Sequence, residues 1–328
     1  MTVGWGFVGT GGIARTVAEA LELVPGGRLA AVASRTGERA AAFGAEFGGA
    51  RGYDDVAAML ADPGVDAVYF ATPHPQHHAA ARAALLAGTP VLVEKPITAT
   101  LAAAEDLVGL ARERGVFCME AWWTRFLPGT QALLDVLASG AVGEVRSVHA
   151  SLGFVPAESV QRFWDPAIGG GSLLDLGPYP VGLAHLLLGA PDRVQAVGTL
   201  TERGVDRQVA ISLGWASGAV AALSTTIAAQ ASARAWIEGT AGWIEVGDSL
   251  PALPRFTVHT SAGEQVHEHG VAHGHRFMLE HVHTCLEQGL AESPLVPLER
   301  SLEVARILET VLDQVGAVRH HELDDPTG

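Results

Sequence analysis

The segment VEKPIT (residues 93–98) contains Lys95, the only lysine among the 21 lysines and arginines of the chain. An ammonium is a compact donor that can lose its proton, whereas a guanidinium stays charged and binds as a broad fork. A lone lysine among arginines is therefore a candidate for proton transfer or for hydrogen bonding to a reacting oxygen. The alternative is that one lysine remains by chance, and composition alone does not separate the two.

A second candidate pair is Asp175 and Tyr179, four residues apart in GGGSLLDLGPYPVGLAHLLLG (residues 169–189). A spacing of four places two side chains on one face of a helix. Pro178 and Pro180 suit only the start of a helix. The sequence therefore predicts a phenol and a carboxylate near the first turns of one helix, where the phenol could transfer a proton. The alternative is that Asp175 only caps a helix and Tyr179 is only buried, which would give the same sequence.

A glycine motif stands near the start of the chain, in GFVGTGGIA (residues 6–14). The pattern is G-x-G-x-x-A, between an apolar run and a helical pattern. The first glycine allows a tight turn, the second allows close approach of a pyrophosphate, and the third small residue allows helix–strand packing. The motif predicts a dinucleotide site at Gly9, Gly11, Gly12, Ile13 and Ala14.

The tip of the second predicted strand, in ASRTGER (residues 33–39), indicates which dinucleotide binds. NAD-binding domains usually place a carboxylate there, for the ribose 2′-hydroxyl. Here the tip carries Ser34 and Arg35, and Arg39 follows one helical turn later. Two guanidiniums suit a 2′-phosphate, although Glu38 lies nearby. The sequence therefore predicts NADP in preference to NAD.

Two histidine clusters could suggest metal. The first lies in ATPHPQHHAA (residues 71–80), where Thr72, Pro73, His74 and His77 follow a predicted strand. That position is the ligand crevice of an open α/β sheet, so these residues are predicted to line the cofactor, and Lys95 follows the next strand. The second cluster, VHEHGVAHGH (residues 266–275), is predicted to be a solvated loop. Neither has a clear carboxylate or cysteine partner, so no metal is predicted.

The order of elements predicts two domains. Apolar strands alternate with helical patterns over residues 1–120, which is typical of a doubly wound parallel sheet, the Rossmann fold. Residues 121–328 are predicted to form an α+β substrate-binding and dimerisation domain on a large, open, mostly antiparallel sheet. Two helices near residues 276–288 and 298–315 should close it, followed by a frayed tail at residues 320–328.

One uncharged stretch, residues 208–233, needs a check for a membrane helix. Its apolar residues alternate with others, and an Ala-Ser-Gly turn divides it. This pattern predicts a β-hairpin with one covered face rather than a membrane-spanning helix.

Composition limits the classes of partner. The formal net charge of −15 argues against nucleic acid and anionic membrane as partners, because both bind basic surfaces. The two cysteines are too few for a disulfide framework. The first residues lack the pattern of a signal peptide. These features predict a cytoplasmic protein that binds small molecules.

Several of these segments together resemble the Gfo/Idh/MocA oxidoreductases, over nearly the whole chain. The resemblance rests on the glycine motif, ATPHPQH, EKP, MEAWWTRFLP, GGGSLLDLGPY and the closing CLEQG and ESPLVPLERSLEVARILE segments. MEAWWTRFLP and DLGPY are similar to the branch with dimeric dihydrodiol dehydrogenases and NADP-dependent D-xylose 1-dehydrogenases. Many relatives carry histidine where this chain has Tyr179, which makes inositol-type substrates less expected.

The resemblance implies a Rossmann domain, an open sheet whose exposed face forms a homodimer, and hydride transfer between NADP and a secondary alcohol of a sugar or cyclic diol. It implies that Lys95 and Tyr179 are catalytic, supported by Asp175, and that Arg35 and Arg39 hold the 2′-phosphate. The implied lining of the cofactor cleft is His74, His77, Glu94, Trp123 and Arg125. Two alternatives remain open: an NAD-preferring sugar or polyol dehydrogenase, and a dinucleotide-responsive protein without turnover.

Overall fold

The structure, a computed structural model, describes residues 2–247 and 249–318. These fall into two compact units. The first contains residues 2–126 and 273–302, and the second contains residues 127–247, 249–272 and 303–318. The boundary predicted between residues 120 and 121 stays a prediction, and the predicted tail lies outside the described residues.

The first unit is built on a parallel sheet of six strands in the order β3-β2-β1-β4-β5-β6. Its central strands are apolar runs buried on both faces, as expected where helices cover both sides of a sheet. The doubly wound parallel sheet predicted from the sequence is thus confirmed. The strands are β1 (Val3–Val8), β2 (Gly27–Ala33), β3 (Arg51–Tyr53), β4 (Ala67–Phe70), β5 (Val91–Val93) and β6 (Cys118–Glu120).

Five helices connect these strands, and several begin at a side-chain cap. Thr36, Asp55 and Thr100 each accept a hydrogen bond from a backbone N–H in the first turn of the helix that follows. Gly115, with a φ of 62°, ends the longest of the five. The helices are α1 (Gly12–Leu21), α2 (Gly37–Glu46), α3 (Val56–Leu60), α4 (His77–Leu86) and α5 (Leu101–Arg114).

The second unit is built on an eight-stranded sheet in the order β14-β13-β12-β11-β7-β10-β9-β8. All neighbours are antiparallel except β7 and β10, so the prediction of a mostly antiparallel sheet is confirmed. The strands are β7 (Val145–Gly153), β8 (Arg193–Leu200), β9 (Asp206–Gly214), β10 (Val220–Thr226), β11 (Ala235–Gly239), β12 (Gly242–Gly247), β13 (Arg255–Thr260) and β14 (Gly263–Glu268).

One helix precedes the first strand of the second unit, two lie between its strands, and two more follow the last strand. α6 (Pro128–Ala138) contacts β13 and β14, while α7 (Ser172–Leu176) and α8 (Pro178–Leu188) pack on β7, β9 and β10. α9 (His275–Glu287) belongs to the first unit, and α10 (Leu298–Val315) begins there and ends in the second. Both closing helices lie where the sequence predicts them.

The uncharged stretch is a β-hairpin, as predicted. β9 and β10 pair in antiparallel register, with Leu213 opposite Ala221 and Ile211 opposite Leu223. These residues are buried, whereas Ser212 and Ala222 between them are exposed, so one face of the hairpin is covered. Of the described helices, none is long and apolar enough to span a bilayer.

One prediction was wrong in part: the second histidine cluster is an exposed loop only in its middle, and its two ends lie in regular elements. His267 lies on β14 and stacks on Phe256, with ring centroids 4.5 Å apart. His275 is the first residue of α9 and stacks on Trp123 at 4.5 Å. The faces of these two imidazoles pack on aromatic rings, which favours burial of both ends of the cluster.

Candidate active site

The glycine motif forms the turn between β1 and α1. Gly9 has a φ of 107°, and a Cβ at this position would lie 2.7 Å from the carbonyl oxygen of Ala71, so only glycine fits. Gly11 is the residue before α1, and a Cβ on Gly11 or Gly12 would meet nothing within 4 Å. Ala14 is fully buried in the helix–sheet contact. The start of α1 thus offers open backbone N–H groups, and these residues fit a dinucleotide pyrophosphate.

The tip of β2 carries the residues predicted to select NADP. The Ser34 N–H donates to the Tyr53 carbonyl oxygen at 3.1 Å, which fixes the strand tip. Thr36 accepts from the N–H of Arg39 at 3.4 Å and begins α2. The guanidinium groups of Arg35 and Arg39 are exposed, and neither forms an ion pair with any residue that the structure describes. Both remain available to an anionic ligand.

His74 and His77, in the segment after β4, differ in their burial. His74 lies in a 3₁₀ turn, partly exposed, whereas His77 begins α4 and is fully buried. The Nε2 of His77 lies 2.9 Å from the Thr72 carbonyl oxygen, and its Nδ1 lies 3.0 Å from the Pro96 carbonyl oxygen. Burial lowers the pKa of His77, and its backbone carbonyl partners oppose that shift. His77 therefore contacts the backbone of two strand tips.

Lys95 lies two residues beyond β5, at the carboxyl end of the strand and partly exposed. Glu94 beside it is buried. Its Oε1 accepts from the Tyr69 hydroxyl at 2.7 Å, and its Oε2 accepts from the Lys95 N–H at 3.2 Å. Glu94 therefore fixes the backbone that presents the lysine. Its predicted place in the lining of the cofactor cleft stays a prediction.

No local sequence pattern points to Glu120, the last residue of β6. This carboxyl is buried and accepts from the N–H of Ile97 at 3.0 Å through Oε1. Burial raises the pKa of Glu120 to about 7, and the charge of Glu94 adds to this shift. Ser301 and Trp122 favour the ionised form and offset part of it. Local sequence spacing could not reveal the contact between Ile97 and Glu120, because the two residues are 23 positions apart in the chain.

Trp123 and Arg125 lie together in a 3₁₀ turn after β6. Trp123 covers the ring of His275, and burial lowers the pKa of His275 to about 4. The Nε of Arg125 donates to the Leu295 carbonyl oxygen at 3.3 Å. Partial burial, with a smaller effect from Arg300, lowers the pKa of Arg125. Both side chains are tied to the part of the chain after residue 272.

In the second unit, Asp175 and Tyr179 lie on two successive helices, so the prediction of one helix was wrong. Asp175 lies in α7, and Tyr179 is the second residue of α8. Pro178 has no N–H, which interrupts the hydrogen-bond ladder. Gly177 between the helices keeps helical angles, with φ of −58° and ψ of −33°, so the rise of about one turn is retained. Asp175 forms an ion pair with Arg162 at 3.7 Å.

A second unpredicted carboxyl lies at the start of α7. Asp206, on β9, is buried and accepts from the Ser172 hydroxyl and the Leu173 N–H, both at 2.7 Å. Ser172 also contacts the Thr225 hydroxyl at 2.9 Å. Burial raises the pKa of Asp206 to about 6, against the effect of its hydrogen-bond donors. The only sequence signal would have been a charge in an otherwise apolar strand pattern.

In the described part of the chain, no group of three histidine, cysteine, aspartate or glutamate residues is placed to hold a metal ion. In the first histidine cluster, His77 contacts backbone carbonyls, while the Nε2 of His78 lies 2.7 Å from the Asp106 carboxylate. The ring nitrogens of His77 and His78 therefore contact different groups and do not converge on one metal position.

Two family models cover most of the chain. Residues 3–121 match an oxidoreductase family with an NAD-binding Rossmann fold, and residues 130–245 match the GFO/IDH/MocA C-terminal domain. The chain is 35% identical to trans-1,2-dihydrobenzene-1,2-diol dehydrogenase of Mus musculus, over 96% of this chain and 98% of that protein. The human enzyme of the same name is 33% identical over the same shares.

Solved structures show the same fold. The aldose-aldose oxidoreductase of Caulobacter crescentus has a TM-score of 0.87 at 26% identity. A 3-ketoreductase from Actinomadura kijaniata, solved with NADP and TDP-benzene, has a TM-score of 0.85 at 30% identity. In both comparisons 96% of this chain and 98% of the other chain are covered.

Proposed function

The chain belongs to the GFO/IDH/MocA oxidoreductase family, and we propose that it oxidises a secondary alcohol of a cyclic diol or a sugar with NADP⁺. The general activity, NAD(P)-dependent dehydrogenation at a CH–OH group, follows from the family and from relatives that share nearly the full length. The substrate class is supported by the names of those relatives, which act on dihydrodiols and aldoses.

The observation that carries the proposal is the place of Lys95. The only lysine of the chain stands at the carboxyl end of β5, on the same side of the parallel sheet as the glycine turn after β1. In open α/β sheets, ligands bind outside the carboxyl ends of the strands, next to the point where strand order reverses. Here that point lies between β1 and β4. A donor at this edge can contact the reacting end of a bound substrate.

Each catalytic role follows from the chemistry of its side chain. Tyr179 takes the proton of the substrate hydroxyl, because a phenol can serve as acid or base. Lys95 donates a hydrogen bond to the same oxygen and stabilises negative charge there during proton transfer. Asp175 supports Tyr179 from the preceding helical turn. When bound, NADP⁺ supplies the carbon that accepts the hydride.

NADP as the preferred cofactor is supported by the tip of β2. The segment from Ala33 to Gly37 carries no carboxylate, and the guanidiniums of Arg35 and Arg39 are exposed without an ion pair among the described residues. A carboxylate would repel a 2′-phosphate, whereas guanidiniums bind it through paired N–H groups. The other proposed cofactor contacts are the Gly9–Ala14 turn, Ser34, Thr72, Pro73, His74, Glu94, Trp123 and Arg125. His77, which is fully buried, is proposed to support these contacts through the backbone.

A homodimer through the large sheet is part of the proposal. The face of β8, β9 and β10 that the helices leave open carries small, uncharged side chains and Val197, which is 73% exposed. These residues are Gln195, Val197, Ala210, Ser212, Ala222 and Ser224. Arg193, at the start of β8, is a charged side chain on this face of the three strands, but a broad face with so little charge favours self-association. The cytoplasmic location and the domain boundary at residue 120 stay predictions.

The test is a turnover assay with NADP⁺ and with NAD⁺ across aldoses, cyclic polyols and aromatic trans-dihydrodiols. We expect reduction of NADP⁺ with at least one cyclic diol or sugar, and a lower kcat/KM with NAD⁺. Tight NADPH binding without turnover across the panel would favour the dinucleotide-responsive protein instead. Turnover with NAD⁺ that equals or exceeds turnover with NADP⁺ would overturn the cofactor assignment.

A further inference from the structure

Three side chains hold the backbone around Lys95. The Lys95 N–H donates to Glu94, and the Ile97 N–H donates to Glu120 at 3.0 Å. The third contact lies between these two, where the Pro96 carbonyl oxygen is 3.0 Å from the Nδ1 of His77. The position of the lysine therefore depends on residues from α4 and β6 as well as on its own strand.

His77 faces a backbone carbonyl at each ring nitrogen. Nδ1 lies against Pro96 in the Lys95 segment, and Nε2 lies 2.9 Å from the carbonyl oxygen of Thr72, in the segment after β4. A neutral imidazole has one N–H, so it can donate to only one of the two carbonyl groups. The ring is fully buried, and burial together with the charge of Lys95 lowers its pKa, which favours the neutral form.

The two carbonyl groups differ in their access to water. The contact with Pro96 is buried, whereas the contact with Thr72 is only partly buried. A buried carbonyl without a donor loses its hydrogen bond entirely, while an accessible one can bond to water. The single proton is therefore expected on Nδ1.

We propose that His77 is a positioning residue whose Nδ1–H donates to the Pro96 carbonyl and thereby fixes Lys95 for hydride transfer, while the unprotonated Nε2 makes no hydrogen bond to the Thr72 carbonyl. The role of Lys95 rests on the proposed function. The placement of the proton does not, because it follows from the contacts of the ring. His77 itself is not a catalytic residue, since its fully buried ring touches only protein.

Two substitutions separate the two ring nitrogens. In His77→Asn the side-chain amide nitrogen lies near the Nδ1 position, and in His77→Gln it lies near the Nε2 position. We expect His77→Asn to keep kcat within about threefold and to keep NADPH affinity, because its amide still donates to Pro96 and the parent ring donates nothing to Thr72. We expect His77→Gln to keep NADPH affinity but to lose about tenfold or more in kcat, since small misplacements of catalytic groups are costly. Equal loss of kcat in both variants, or greater loss in His77→Asn, would overturn the proposal.

His78→Asn is the matched control. His78 is the next residue of α4 and is also mostly buried, but its Nε2 contacts Asp106 on α5 instead of a strand tip. We expect this variant to keep both kcat and NADPH affinity. A loss in His78→Asn as large as the loss in His77→Gln would mean that any damage to α4 lowers turnover, and the proposal would fail.

Two measurements do not need turnover. Hydrogen exchange of the Ile97 amide should be faster in His77→Gln than in the parent or in His77→Asn. Nitrogen-15 NMR of the parent, with labelled histidine, should show His77 protonated at Nδ1 and not at Nε2. The opposite tautomer would overturn the proposal even if both variants fail to fold. A parent that turns over no substrate would refute the proposed function, while these two results would still decide the place of the proton.

Discussion

The Asp206 carboxylate and the Ser172 hydroxyl are 2.7 Å apart, and this buried hydrogen bond joins β9 to the first residue of α7. Leu173 donates its N–H to the same carboxylate oxygen at 2.7 Å. Asp206 thus caps a short helix that carries Asp175 and leads directly into the start of α8, where Tyr179 lies. Asp206, a residue of the sheet, therefore holds the start of the helical segment that leads to Tyr179, the proposed acid–base group.

Asp206→Ala should lower both stability and turnover. Two buried donors lose their acceptor, which costs about 2–4 kcal/mol in the free energy of unfolding. Because the helix start is released, kcat should fall while NADPH affinity, which depends on the first unit, stays within about twofold of the parent. Urea unfolding and NADPH fluorescence titration measure the two effects. Asp206→Asn keeps one acceptor oxygen, so its stability and its kcat should lie between those of Asp206→Ala and those of the parent. Unchanged kcat in Asp206→Ala would show that the cap does not position Tyr179.

Glu120 predicts a pH dependence of stability. Its pKa in the folded protein is about 7, above its ordinary value, because burial and Glu94 disfavour the charge. The folded protein therefore holds a proton that the unfolded chain releases at lower pH, so the free energy of unfolding falls as pH rises from about 5 to 7. Glu120→Gln cannot ionise. Between about pH 5 and 7, the free energy of unfolding of Glu120→Gln should therefore rise by about 3 kcal/mol relative to that of the parent. If the free energies of unfolding of the parent and of Glu120→Gln changed in parallel from pH 5 to 8, the raised pKa of Glu120 would be contradicted.

Cofactor preference should depend on Arg35. Arg35→Asp replaces a proposed phosphate donor with a carboxylate, so NADPH affinity should fall by about tenfold or more relative to NADH affinity. Arg114→Asp makes the same charge change on an exposed residue at the end of α5, and it should leave the ratio unchanged. Equal affinity for NADH and NADPH in the parent, by fluorescence titration, would refute the NADP assignment.

Lys95 should not tolerate arginine. Lys95→Arg keeps the charge, but the guanidinium is larger and cannot lose its proton, so kcat should fall by about tenfold or more. NADPH affinity should survive, because the pyrophosphate turn and the β2 tip are unchanged. Single-turnover kinetics beside a binding titration separate the two effects. Normal turnover in this variant would mean that the lone lysine is an accident of composition.

Periodic patterns predicted most of the fold. The apolar runs of β1, β2, β4 and β5 and the hairpin of β9 and β10 each bury a regular set of side chains, so their period is visible in the sequence. Strands β3 and β6 are as short as β5, with three residues each, but their residues, RGY and CME, do not form an apolar run. β14 was missed because its residues are mostly polar, and its one histidine, His267, packs as an aromatic ring on Phe256.

The site could be predicted only where chemistry follows local spacing. Gly9, Lys95 and Tyr179 stand in motifs whose meaning lies within a few neighbouring residues. Glu120 and Asp206 act through contacts with Ile97 and Ser172, which are 23 and 34 residues away in the chain. Such contacts depend on sheet register and packing, which no local pattern encodes.

Tyr179 offers the most direct test, because the chain has three tyrosines and one of the others is a matched control. The Tyr53 hydroxyl donates to Asp62 at 2.7 Å, away from the proposed chemistry. The decisive measurement is kcat for NADP⁺-dependent oxidation in Tyr179→Phe and Tyr53→Phe beside the parent. We predict a fall of at least about 100-fold in Tyr179→Phe, with unchanged NADPH affinity, and a kcat within about twofold of the parent in Tyr53→Phe. Full turnover in Tyr179→Phe would contradict the account and make Tyr179 a packing residue.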